Sequence, residues 1–196
     1  MNTNINSIRI SKTEENKMNK QVMLSELKAG ETINTEIGTF IVLEQTEEGT
    51  KVITKDLFKE YQTFGQSPDY KGSNVQQLCE GEIYEAFAKV FGSENIIEHE
   101  VDLITVDMQQ DYGKVNCRVR PLTFDEARKY NDMLVNEGLE GWYWTCTPWS
   151  TPARGWRWSV AVVSPSGGVS IDNYDDYFGV RPFCILKSNI FVSKGE

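Results

Sequence analysis

The chain has 196 residues, of which 25% are charged and 39% hydrophobic, with a formal net charge of -9. This is the size of one ordinary domain with a real core, and the composition excludes global disorder. The acidic balance argues against a nucleic-acid backbone as direct ligand, which wants a basic face, and no run of about 18 apolar residues is present to cross a membrane.

Residues 1–22 are polar and read as a loose leader without the apolar segment of a secretory signal; the single domain is expected over 23–196, cytoplasmic as synthesised or virion-associated. From Met23 short β-rich runs alternate with turns at Lys28–Gly30, Glu36–Gly38 and Glu47–Gly49. Phe40, Val42, Thr50, Val52 and Thr54 repeat at period two, which predicts a hairpin of Thr39–Gln45 with Thr50–Thr54. Asp56–Ser73 reads as a turn-rich connection. A helix follows, with Ser73 or Asn74 as cap and an apolar stripe from Val75 through Cys79, Ile83 and Phe87 to Phe91, weakened at Gly81. Asn95–Thr105 reads as irregular or briefly extended.

Thr123-Phe124-Asp125-Glu126 has the spacing of a capping box and predicts a second helix with Ala127, Tyr130, Leu134 and Val135 on one face and Gly138 at its C′ position. Strands are then expected at Trp142–Cys146, Trp156–Ser164, Gly168–Asn173 and Gly179–Lys187. The order of elements predicts an α+β fold with two helices packed on an antiparallel sheet joined by short hairpins.

All five tryptophans fall between 142 and 158. Trp142, Trp144 and Trp158 read as core. Trp149, Arg154 and Trp156 sit in the turn-rich PWSTPARGW segment, where binding side chains concentrate, and Tyr174 and Tyr177 in a second loop extend that patch. The four cysteines form no CxxC pair and read as reduced core thiols, a Cys146–Cys184 bridge being the alternative. The one histidine, His99, reads as a surface or loop residue. Asp172–Asp176 is dense in oxygen ligands but lacks the spacing of a calcium loop, so no metal or other cofactor is expected.

The Trp142–Pro148 segment, Val162–Val169 and Gly179-Val180-Arg181-Pro182-Phe183, with echoes at Ile41–Glu44 and in the PLTFDEARKY helix, resemble a bacterial and phage domain family of unknown function with a C-type-lectin-like fold. Its relatives include variable proteins diversified by phage retroelements and, more distantly, formylglycine-generating enzymes, whose cysteine pair has no counterpart here. The resemblance spans about residues 24–190 and implies a scaffold that displays residues ahead of the GVRP strand. Carried over by position, these are Ser150, Thr151, Arg154, Trp156, Asp172, Asn173, Tyr174, Asp175 and Tyr177, with Trp149 added from the loop reading. Where the family's first strand has LRS this chain has TCT, so the polar contact made by that arginine is either missing here or supplied by Arg181. The implied function is non-enzymatic binding of a protein or glycan by a phage- or prophage-derived module. The alternative is an acidic inhibitor of a host nucleic-acid enzyme. The sequence sets no oligomeric state.

Overall fold

The computed structural model describes residues 21–195. Of the leader expected over 1–22, only Gln21 and Val22 are described, and they are not leader: Gln21–Met23 forms strand β1, paired antiparallel with β14 (Phe191–Ser193). The other strands are β2 (Thr32–Thr35), β3 (Gly38–Gln45), β4 (Thr50–Thr54), β5 (Lys59–Thr63), β6 (His99–Asp102), β7 (Lys114–Cys117), β8 (Val119–Arg120), β9 (Tyr143–Pro148), β10 (Ser159–Val163), β11 (Val169–Asn173), β12 (Tyr177–Val180) and β13 (Phe183–Leu186). The helices are α1 (Asn74–Leu78), α2 (Tyr84–Phe91), α3 (Phe124–Lys129) and α4 (Asn131–Leu134). The fold is α+β and mostly sheet.

Two five-stranded sheets organise the chain, ordered β2-β3-β4-β13-β8 and β11-β10-β9-β12-β5. The expected β3–β4 hairpin forms, with Phe40 opposite Thr54 and Val42 opposite Val52. Its alternation does not separate core from solvent. Phe40, Val42 and Val52 face one apolar cluster with Val75, Ile83 and Phe87 of the first helical segment. Ile41, Leu43 and Ile53 face a second cluster with Ala127, Tyr130 and Leu134. The first sheet thus lies between two helical layers, and both of its faces are apolar.

Four expectations are corrected by the strand order. The Asp56–Ser73 connection contains β5, an edge strand whose charged, exposed sequence KEYQT hides it. The Gly179–Lys187 strand is two strands, one in each sheet, divided at Arg181-Pro182; proline has no N–H to give a ladder and marks the crossing. The second sheet is not purely antiparallel, because β12 runs parallel to β9 where Gly179 lies opposite Tyr143. The strand expected from Trp156 begins only at Ser159, and that shift puts Trp156 and Trp158 in a loop.

Ser73 caps the first helix, its Oγ accepting from the Gln76 N–H at 3.0 Å. Instead of breaking at Gly81, the helix passes through one π turn, Cys79–Ile83, and continues into α2. The capping box at α3 is complete: Thr123 Oγ1 accepts from the Glu126 N–H, and Glu126 Oε2 accepts from the Thr123 N–H. The second helix is shorter than its apolar stripe suggested. Tyr130 interrupts it, Leu134 ends it, Val135 is exposed, and Gly138 stands beyond its C-terminus rather than at C′. All four cysteines are free and buried, and burial pushes each thiol up, Cys117 to about 11 and Cys146 to about 12.

Two glycines give opposite expectations. A Cβ at Gly49 would lie 2.4 Å from the Leu186 carbonyl oxygen, whereas one at Gly81 meets nothing within 4 Å. Urea denaturation of Gly49→Ala should show a loss of about 1–3 kcal/mol from overpacking against backbone, and Gly81→Ala should gain about 0.5–1 kcal/mol from reduced chain entropy.

Candidate functional site

The two loops singled out by the sequence meet. The β9–β10 loop, residues 149–158, and the β11–β12 turn, residues 174–176, are joined by the Tyr174 N–H donating to the Trp158 carbonyl at 2.9 Å. Ser159 lies opposite Asn173 in the β10–β11 ladder, which fixes both loop bases. Trp158 and Tyr174 lie with ring centroids 6.0 Å apart, and Trp149 meets Trp156 edge-on at 6.4 Å.

The loop between β9 and β10 is held from outside itself. Ser150 Oγ donates to Asp107 Oδ2 at 2.6 Å and Thr105 Oγ1 donates to Asp107 Oδ1 at 2.5 Å. The Asp107 N–H donates to the Trp149 carbonyl, the Val106 N–H to the Pro148 carbonyl, and Tyr112 Oη to the Ser150 carbonyl. Desolvation would raise the Asp107 carboxyl, but the Ser150 and Thr105 hydroxyls and the field of Arg154 hold it below the usual range. Within the loop, the Arg154 and Trp156 N–H groups both donate to the Thr151 carbonyl, and Gly155 takes the left-handed conformation (φ 85°) that closes the short turn Pro152–Arg154.

This clasp reassigns several expected residues. Ser150 and Thr151 are buried, 0% and 1% exposed, so they anchor the loop and cannot be displayed. Trp149, Asp172 and Tyr174 are half-buried, while Arg154, Trp156, Asn173 and Asp175 are exposed. Tyr177 is exposed but stands on β12 and lines a different recess, with Tyr61 and Trp142. The tryptophans divide unlike the sequence reading. Only Trp144 of the supposed core three is buried, its Nε1 donating to the Gln62 carbonyl at 2.7 Å and its ring T-shaped to Phe64 and Phe178. Trp142 and Trp158 are exposed, Trp158 at 55% beside Trp156 at 48%. Arg157, between those two, is also exposed.

In the acidic turn, the hydrogen bond and negative charge of Asp172 beside it raise the Asp176 carboxyl above its usual range. Among the described residues, no three His, Cys, Asp or Glu side chains gather as a metal site. Among the described residues, no helix is long and apolar enough to cross a membrane.

His99 is not a loop residue. It lies half-buried on β6, edge-on to Phe183 at 5.8 Å. Its Nδ1 faces the Ile97 carbonyl at 3.2 Å and must carry the proton, because a carbonyl only accepts; Nε2 accepts from Arg120 Nε at 3.0 Å. Arg120 also grips both Glu126 oxygens, at 2.6 and 2.7 Å. Burial first, then the Arg120 charge, lowers His99 to about 4. Burial would raise Glu126, but Arg120 overrides it and holds the carboxyl at about 2. Arg120, Thr147 and Glu126 line a 500 Å³ cleft beside α3, but their polar groups are spent on one another and on the α3 cap.

The chain matches no family model, no curated protein and no solved structure.

The pKa shifts predict how acid acts. Both groups are depressed in the folded state, so each contributes stability that is whole above its unfolded value and lost as pH falls. For His99 the loss runs from about 6.5 towards 4, and for Glu126 from about 4.5 towards 2. Chemical denaturation between pH 7 and pH 4 should show the His99 portion, and His99→Gln should flatten the fall between pH 6.5 and 5. An equal slope in that variant would remove His99 from the account.

Proposed function

We propose that this chain is a non-enzymatic, C-type-lectin-like ligand-binding module, of phage or prophage derivation, that grips a protein or glycan through its two joined loops. The observation that carries this reading is the exposure of Trp156 and Trp158 on a segment whose backbone is clasped at both ends. Exposed aromatic rings cost solvation; held rigid, they present stacking area with little entropy left to lose. Arg154, Arg157, Asn173 and Asp175 surround them with exposed polar groups, the mixture that suits interface anchors and sugar-stacking sites. The GVRP segment supports the fold assignment by its position, since Arg181-Pro182 makes the crossing between the sheets that carries the display loops. The alternative of an acidic nucleic-acid mimic calls for an unbroken carboxylate face and draws less support from a surface that carries Arg154 and Arg157 between its tryptophans.

The test is the double substitution Trp156→Ala, Trp158→Ala. Against a glycan array and an immobilised peptide library, hits retained by the parent chain should weaken by tenfold or more, with the thermal midpoint nearly unchanged. Hits retained at parental strength would move the binding surface elsewhere. Asp107→Asn should weaken the same hits more modestly, by loosening the loop, and should speed amide exchange in residues 149–158.

A further inference from the structure

A second aromatic recess stands apart from the joined loops. Tyr61 of β5, Trp142 at the entry to β9 and Tyr177 of β12 are 68%, 38% and 67% exposed and line one recess of about 200 Å³. Their arrangement is set by the strands. Phe178 turns inward against Trp144, at 4.8 Å, so its neighbour Tyr177 points outward. Tyr177 lies opposite Thr63 and Phe178 opposite Gln62 in the β5–β12 ladder. The Trp142 carbonyl accepts from the Gly179 N–H at 2.8 Å, which pins the tryptophan's backbone beside β12. Leu57 also lines the recess and packs against Gly179, where a Cβ would lie 2.6 Å from its Cδ1.

The charges are of one sign. Glu60 and Glu140 line the recess, and among the described residues neither has an ion-pair partner. A neighbouring hollow of about 210 Å³ shares Leu57, Glu60 and Glu140 and adds Asp56. No lysine, arginine or histidine lines either hollow. Ring faces carry partial negative charge, so aromatics and unpaired carboxylates converge on the same preference for a cation. The volume suits a side chain rather than a nucleotide or cofactor, for which sites run to several hundred Å³. β5 is the edge of its sheet and lines the recess with Glu60 and Tyr61, so an extended chain meets no further strand there.

The geometry points to a docking site for a basic peptide segment of a protein partner, with an arginine or lysine side chain held between Tyr61, Trp142 and Tyr177 and paired to Glu60 and Glu140. This does not rest on the joined-loop reading, and the net charge of -9 favours the encounter at low salt.

The probe is a fluorescein-labelled octapeptide alternating arginine and glycine, with a glutamate–glycine octapeptide as control, titrated into the full chain at two salt concentrations. The arginine peptide should bind and quench tryptophan emission, and the control should not. Tyr61→Ala with Tyr177→Ala should weaken binding by tenfold or more, and Glu60→Gln with Glu140→Gln should weaken it similarly and flatten its salt dependence. Trp156→Ala with Trp158→Ala should leave it unchanged, which separates this site from the loops. Circular dichroism of each variant checks folding. Equal binding by the control peptide, parental binding by either recess variant, or no binding at millimolar peptide would overturn the assignment. So would tetramethylammonium binding as tightly as the peptide, which would make the occupant a small cation.

Discussion

The two sheets are fastened by one buried cation. Arg181 is wholly buried at the crossing from β12 to β13. Its Nε donates to the Thr54 carbonyl at 2.9 Å, and its Nη1 donates to the Leu134 carbonyl at 2.7 Å and to the Tyr143 hydroxyl at 3.3 Å. One side chain therefore ties β4, the end of α4 and β9 to the strand that leaves one sheet for the other. Among the described residues it has no carboxylate partner, and its Nη2 has no hydrogen bond, lying instead where the guanidinium passes 5.3 Å from the Tyr143 ring. A charge taken from water costs several kcal/mol unless compensated. Here carbonyl dipoles and a ring face compensate it, which demands that all three elements hold their positions.

A second network secures α3 against the first sheet. Glu126 closes the capping box at Thr123 and accepts both arms of Arg120 on β8, while Arg120 stacks over Phe183 at 4.4 Å and donates to His99. Thr147 of β9 accepts from the Phe124 N–H, so the same helix start also registers the second sheet. The loop surface inherits its order from this frame. β9 is fixed at its interior by Trp144 and at its end by the Asp107 clasp, leaving only the segment beyond Thr151 to carry exposed rings.

What could be read from the sequence was local. The Thr123–Glu126 box, the Ser73 cap and the β3–β4 hairpin depend on residues a few positions apart, and each forms. What could not be read depends on distant partners. Nothing near Ser150 announces that Asp107, more than forty residues earlier, holds its hydroxyl, so a loop serine and threonine read as displayed when they are buried. Alternation failed where both faces of a sheet are apolar, as in β3, and the tryptophan spacing could not tell Trp144 from Trp158 because the start of β10 at Ser159 rather than Trp156 decides it. Pro182 was the one signal available for the split of Gly179–Lys187, since a proline inside an apolar run argues against a single central strand. Of the expected display set, Arg154, Trp156, Asn173, Tyr174 and Asp175 come together with Trp149 and Asp172, whereas Tyr177 belongs to the recess on β12.

The four thiols have a chemical consequence. Nucleophilic attack on an alkylating reagent or a disulfide comes from the thiolate, and burial disfavours that ion at Cys79, Cys117, Cys146 and Cys184 alike. The folded chain is in effect thiol-silent. A cysteine introduced at the loop tip or at the rim of the β12 recess would be the sole reactive sulfur on the surface, giving each surface its own spectroscopic handle without removing a native residue from the core.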